Sequence, residues 1–173
     1  TETSGDKANT ATSSVTQVIG GRASSNFMNG FITELSIWDK AVDLTEVQEL
    51  YNDGLSLDAT THSASPSTGT DNLIGYWRNN ELHTDGTWKD LSQNSNNGTL
   101  NSGETVIFPE GTTSGRDING FFLTHPNKNY LSLDGVGTYI DIPASSALLF
   151  GTNSFTYECW FKFSKPNAGY LVG

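Results

Sequence analysis

The 173-residue sequence has one cysteine, few basic residues and no long hydrophobic run. The lone Cys159 excludes a disulfide framework within the chain and a cysteine-based zinc site. Because 19 acidic residues against nine basic ones give a formal charge of -10, a phosphate backbone would be repelled, and nucleic acid is the least favoured partner. No apolar stretch approaches the roughly 20 residues that span a bilayer, so we expect no membrane insertion.

Small polar residues supply most of the remaining surface. Only 16% of residues are charged, and 18 are glycine. With abundant Ser, Thr and Asn, this composition suits hydrogen-bonded loops between many short strands and predicts an all-β protein. The length allows either one β-sandwich with a sizeable core or two incomplete pieces.

A strand followed by a short helix is predicted between Gly30 and Gly54. The alternation of side chains places Phe31, Thr33, Leu35 and Ile37 on one strand face and Ile32, Glu34, Ser36 and Trp38 on the other. A helical stripe near residues 43–52 follows, formed by Leu44, Val47, Leu50 and Tyr51. Asp43 and Glu46 form a capping-box pair, and Gly54 is placed for a left-handed cap.

Two further features of the sequence are β-like. Residues 130–143 carry alternating apolar residues around glycines, which predicts a hairpin. Residues 155–163 predict a strand with Phe155, Tyr157, Cys159, Phe161 and Phe163 on one face. The residues predicted to form a core are Leu35, Ile37, Leu133, Ile140, Phe155 and Phe161.

The segment from Gly30 to Gly54 resembles the closing signature of laminin-G-like domains, in the concanavalin A-like lectin/glucanase superfamily. The matching residues are Gly30, Ile32, Glu34, Leu35, Ile37, Trp38, Glu46, Val47, Leu50, Tyr51 and Gly54. Thr33 departs from the Asp usual in the family. The resemblance implies an antiparallel jelly-roll β-sandwich.

Two later segments, Gly75-Tyr76-Trp77 and residues 88–100, resemble the opening signature of the same family. Gln93 and Ser95 stand in place of the usual glycines. The closing signature thus precedes the opening one. We favour a piece of a tandem array, with the C-terminal half of one domain in residues 1–55, a Ser/Thr/Pro-containing linker in 56–71 and the N-terminal part of a second domain in 72–173. The alternative is one permuted sandwich. Residues 31–38 are expected to pair with residues 73–77, because the family places its first and last strands side by side.

A calcium site is the predicted metal site. Asp90, Asn94 and Asn96 offer oxygen ligands of the kind that Ca²⁺ takes, and the resemblance adds Glu34. If calcium binds, Asp90→Ala should lower stability in calcium but not in chelator. The alternative is that Asp90 and the asparagines only cap turns. In a tandem array Glu34 and Asp90 would lie in different domains and could not share one ion.

The four tryptophans could include a platform for a sugar ring. Trp88 has the most polar sequence neighbours and is the candidate ligand-binding residue, with core packing as its alternative. His62, His83 and His125 lack ligand spacing and are predicted to lie on the surface. No catalytic motif is present, so we expect no enzyme.

These observations predict a non-catalytic extracellular adhesion module that binds a glycan on a cell or virion surface. Function is inferred here mainly from the resemblance, since a fold does not dictate activity. The alternative is a building or decoration unit of a fibre, filament or virion, which associates with other copies by strand addition and binds no small ligand.

Overall fold

The computed structural model describes residues 16–22, 26–54, 57–63, 72–82, 85–101 and 131–164, with the backbone alone for 79–82. The structure is mostly β, and the described residues contain one α-helix, α1, at Leu44–Tyr51. This confirms the all-β class with one short helix. The strands are β1 (Gln17–Ile19), β2 (Asn29–Trp38), β3 (Leu73–Leu82), β4 (Thr87–Asp90), β5 (Gly98–Asn101), β6 (Leu131–Asp134), β7 (Tyr139–Ile142) and β8 (Thr156–Phe163).

The strands form one curled antiparallel sheet in the order β1-β7-β5-β4-β3-β2-β6, with β8 also paired to β2. The long strand β2 is central. Its first half pairs with β6, its second half pairs with β3, and β8 pairs with it from Gly30 to Trp38. The predicted pairing of residues 31–38 with residues 73–77 is confirmed, for example by Leu35 opposite Trp77.

Strands on the two sides of residues 56–71 are hydrogen-bonded neighbours. β2 pairs with β3, β6 and β8, and β1 pairs with β7. Within the predicted linker, Ala59–Thr61 form a 3-10 turn, and Ala59 is buried. The division into 1–55, 56–71 and 72–173 stays a prediction.

A β-bulge divides β2 at Glu34. Thr33 lies opposite Trp160 and Ser36 opposite Glu158, so β2 has one residue more than β8 between these pairs. Glu34 accommodates the extra residue with a positive φ of 51°. Ile32, Leu35 and Ile37 therefore share one core cluster. The strict alternation predicted for β2 is wrong because the bulge exchanges the faces on its N-terminal side.

Two core clusters lie on opposite faces of the sheet around β2. The first contains Ile19, Met28, Ile32, Leu35, Ile37, Ile74, Trp77, Trp88, Leu131, Leu133, Ile140, Ile142 and Leu148. The second contains Trp38, Leu50, Ala59, Leu73 and Tyr76. Since Leu50 belongs to α1, we call the second side the helix-side face.

Four of the six predicted core residues are buried: Leu35, Ile37, Leu133 and Ile140. The prediction is wrong for Phe155 and Phe161, whose side chains are 50% and 42% exposed. Only the middle of that β8 face, Tyr157 and Cys159, packs against the first cluster. Burial raises the pKa of the Cys159 thiol to about 12.

The predicted hairpin in residues 130–143 is also wrong. β6 pairs with β2, whereas β7 pairs with β1 and β5. The turn itself is tight, because Asp134 Oδ1 accepts hydrogen bonds from the backbone N–H groups of Val136, Gly137 and Thr138. It connects strands with different neighbours instead of adjacent strands.

The capping box of α1 is confirmed. Asp43 Oδ1 accepts from the Glu46 N–H at 3.0 Å, and Glu46 Oε2 accepts from the Asp43 N–H at 2.8 Å. The left-handed C-cap is Asn52, with φ 44°, and not Gly54 as predicted. A short polar side chain tolerates this conformation better than most.

Candidate functional site

Asp90 is buried at the end of β4 and organises the loop that follows. Its Oδ1 accepts from the N–H groups of Tyr76 (2.9 Å) and Ser92 (2.8 Å). Its Oδ2 accepts from Ser92 Oγ (2.9 Å) and the Asn96 N–H (2.7 Å). All four contacts are of the kind expected from a residue that caps turns.

Asn94 and Asn96 also bind the protein itself. Both donate from Nδ2 to the carbonyl oxygen of Ile74, at 3.2 and 2.9 Å. The backbone oxygen of Asn96 accepts from Trp77 Nε1 at 3.1 Å. These bonds hold the loop against β3.

Glu34 lies in a different network, on the helix-side face. It is buried and accepts from the Tyr76 hydroxyl and from Arg78 Nε, the latter at 3.1 Å. Arg78 also donates to Asp58 Oδ2 at 2.7 Å, which ties the 3-10 turn to the sheet. Burial and the neighbouring Glu34 hold the pKa of the Tyr76 hydroxyl well above its ordinary value.

The four predicted calcium ligands therefore do not form one set of outward-facing oxygens. Tyr76 lies between the two groups, because its N–H binds Asp90 and its hydroxyl binds Glu34. Within the described ranges, no three His, Cys, Asp or Glu side chains come together as a potential metal site. As they are placed here, the four residues do not make one calcium site, and calcium binding by this protein stays a prediction.

Trp88 is not exposed: its relative accessibility is 0%. Its Nε1 donates to the Arg78 carbonyl at 2.9 Å, and its ring lies 6.2 Å from that of Trp77. The expectation that Trp88 is the most exposed tryptophan is wrong, because β4 directs the Trp88 side chain into the core, whereas Lys89, the next residue of the same strand, is exposed. Trp88 packs in the core, which was the alternative interpretation.

His62 is buried as well, although a surface position was predicted. Its Nε2 lies 3.1 Å from the Glu46 carbonyl oxygen, and its ring packs edge-on against Trp38 at 5.0 Å. The 3-10 turn carries it under α1, which sequence spacing could not indicate. His83 and His125 lie outside the described residues.

A different aromatic pair is accessible on the helix-side face. Tyr51 of α1 stacks on Trp160 of β8, with ring centroids 5.7 Å apart and planes 20° apart. Tyr51 is 55% exposed and Trp160 is partly buried. We call this pair the ring platform. The predicted apolar stripe of α1 extends it outward, since Leu44 and Val47 are exposed and only Leu50 enters the core.

Sequence reasoning missed the ring platform. The signal was present in part, because alternation along β8 separates Trp160 from the Phe/Tyr/Cys face. What brings Tyr51 to it is the docking of α1 through Leu50, a long-range contact.

Polar side chains flank Trp160 on the same face. Glu158 and Lys162 are two residues before and after Trp160 along β8, so their side chains project from the same face of the strand as Trp160. Ser36 Oγ donates to Glu158 Oε2 at 2.9 Å. Burial raises the pKa of Glu158 to about 7; the Ser36 hydrogen bond opposes this shift, and the charge of Glu34 adds to it.

The pH dependence of stability should reflect Glu158. Its folded pKa of about 7 lies above the ordinary 4.5, so the unfolded chain releases this proton first as the pH rises. The Glu158 contribution to the free energy of unfolding therefore falls between those two values, by about 3 kcal/mol at most. Glu158→Gln cannot ionise and should lose this component. Urea unfolding on the acidic and alkaline sides of the window checks it, and identical pH slopes for parent and variant would contradict it.

Comparisons of the chain with protein-family models, curated proteins and solved structures returned no match. Among the described residues, no helix combines the length and apolar character that crossing a membrane requires.

Proposed function

We propose that this chain is a non-catalytic carbohydrate-binding module and that the ring platform of Tyr51 and Trp160 is its binding surface. The observation that carries the proposal is the stacked, solvent-accessible pair with polar side chains beside it. Aromatic rings bury large apolar area with little loss of conformational freedom, and they suit the apolar face of a pyranose. This role replaces the one predicted for Trp88.

The proposal is for binding and not for hydrolysis. Glycoside hydrolysis needs two carboxyl groups on either side of the bond to be cleaved. Glu34 and Glu158 belong to neighbouring strands, but Glu34 is buried and already accepts hydrogen bonds from Tyr76 and Arg78. It is placed to support the sheet.

The wider context of the proposal comes from the resemblance to laminin-G-like domains. It supports a jelly-roll arrangement of the curled sheet and an extracellular location on a cell or virion surface, where adhesion to glycans takes place. The formal charge of -10 favours neutral glycans over sialylated or sulfated ones, because like charges repel.

Trp160→Ala should weaken glycan binding. Loss of the stacked ring removes a contact worth about 1–3 kcal/mol, so affinity should fall by about 5- to 150-fold. The assay is a printed array of neutral and acidic oligosaccharides, followed by calorimetric titration with the strongest binder. Phe163→Ala is the matched control, since Phe163 is an exposed aromatic on the opposite face of the same strand. A parent protein that binds no glycan, or a Trp160→Ala variant that binds normally, would refute the proposal.

One observation favours the second candidate, a building unit of a fibre, filament or virion. Phe161 and Phe163 on β8 and Phe155 directly before it are exposed, and exposed apolar patches commonly mark contacts between proteins. Association with other copies would cover them, by strand addition or by face-to-face packing. Sedimentation velocity distinguishes the candidates: a mass that rises with concentration, and no longer rises in Phe161→Ser, would favour the building unit.

A further inference from the structure

Four side chains, those of Thr33, Ser36, Glu158 and Trp160, form a small polar cluster at the ring platform. Thr33 lies directly opposite Trp160, and Ser36 lies opposite Glu158, in the antiparallel register of β2 and β8. Side chains of directly opposed residues project to the same face and lie close together. The polar cluster therefore contains one indole, two hydroxyl groups and one carboxyl group.

The hydroxyl group of Thr33 has no visible function in the fold. Thr33 is fully buried, and its Oγ1 has no hydrogen-bond partner in the part of the chain that the structure describes. A buried hydroxyl without a partner costs about 1–3 kcal/mol, and buried polar groups in native proteins are nearly always bonded. A buried hydroxyl group without a hydrogen-bond partner, next to an accessible aromatic ring, indicates a ligand that supplies the missing hydrogen bond.

The carboxyl group of Glu158 supplies a second atom that can hydrogen-bond a ligand. Its Oε2 accepts from Ser36, whereas its Oε1 makes no hydrogen bond within the described ranges. The carboxyl group is thus oriented by Ser36 and retains bonding capacity for another molecule. Ser36 Oγ itself accepts from Trp38 Nε1 at 2.9 Å, which fixes the hydroxyl that orients Glu158.

We propose that Thr33 and Glu158 form the hydrogen-bonding subsite of the ring platform and bind hydroxyl groups of one neutral sugar ring stacked on Trp160. This inference rests on the proposed function and adds the residues that determine specificity. Because Thr33 is fully buried, its hydroxyl is reached only when the indole of Trp160 turns, which breaks the stack with Tyr51, so the sugar ring takes the place of Tyr51 against the indole.

The test uses two substitutions that remove bonding groups and keep volume. Thr33→Val is isosteric, and removing an unpaired buried hydroxyl should leave the melting temperature unchanged or raise it. Glu158→Met replaces the carboxyl group with an apolar chain of similar length. Each variant should weaken binding of the strongest neutral oligosaccharide on the array by about fivefold, the loss of one net hydrogen bond. Thr99→Val, at an exposed position of β5, is the control and should bind like the parent.

The outcomes separate this inference from the proposed function. If the parent binds, Trp160→Ala binds more weakly, and Thr33→Val and Glu158→Met bind like the parent, the subsite is overturned and the platform stands. If the parent binds no glycan, both are overturned. A clear preference for sialylated or sulfated glycans overturns the neutral class assigned here.

Discussion

Trp77→Ala should lower the free energy of unfolding by about 3–5 kcal/mol, the usual cost of deleting a buried tryptophan. The Trp77 side chain is fully buried in the first core cluster, and its Nε1 donates to the Asn96 carbonyl. The backbone is shaped around it: a Cβ added at Gly75 would lie 2.3 Å from Trp77 Cη2. The surrounding strands cannot close such a cavity without moving the sheet. Urea unfolding monitored by circular dichroism measures the change.

Phe161→Ala is the matched comparison and should cost only about 1–2 kcal/mol, because 42% of the Phe161 side chain is already exposed to water. The contrast tests the correction to the predicted core. A loss for Phe161→Ala as large as that for Trp77→Ala would show that the exposed end of β8 is covered in solution. That result would also favour association between copies through this face.

Asp90→Ala is the second substitution with a large expected effect. It should lower the free energy of unfolding by about 3–5 kcal/mol, because it leaves several buried donors without an acceptor. The affected donors are the N–H groups of Tyr76, Ser92 and Asn96 and the hydroxyl of Ser92. The loop after β4 would lose its attachment to β3.

The same variant separates turn capping from metal binding. Since Asp90 already accepts from protein donors, its loss should destabilise the protein equally in calcium and in EGTA. Asp85→Ala is the control, because Asp85 caps an exposed turn by accepting from the Thr87 N–H at 2.9 Å and should cost about 1 kcal/mol. A destabilisation confined to the calcium sample would restore Asp90 as a metal ligand.

Some elements were predictable because their causes lie within a few residues. The capping box of Asp43 and Glu46 needs only a spacing of three, and it is present as predicted. The buried strand around Leu35 and Ile37 follows from alternation. Its pairing with residues 73–77, which was expected from the family resemblance and not from a local pattern, is also confirmed. Local patterns such as capping and alternation do not depend on how distant parts of the chain pack.

The candidate site was not predictable in the same way. Trp88 lies between the polar Thr87 and Lys89 and is enclosed by the core, whereas Trp160 lies between Cys159 and Phe161 and stacks on Tyr51 in an accessible position. His62 lies between the polar Thr61 and Ser63 and is nevertheless buried under α1. Burial depends on which elements pack over a residue, and its sequence neighbours carry little of that information.

The sequence by itself determined the β class, the one helix with its N-terminal cap, and the central strand, because propensity, capping and alternation act over short distances. Only the tertiary structure decided which face of each strand is buried and where aromatic rings remain accessible. The bulge at Glu34 shows the physical reason: one extra residue, accommodated by a positive φ, exchanges the faces of β2 and places Thr33 beside Trp160. That exchange depends on how β2 pairs with β8, more than a hundred residues later in the chain.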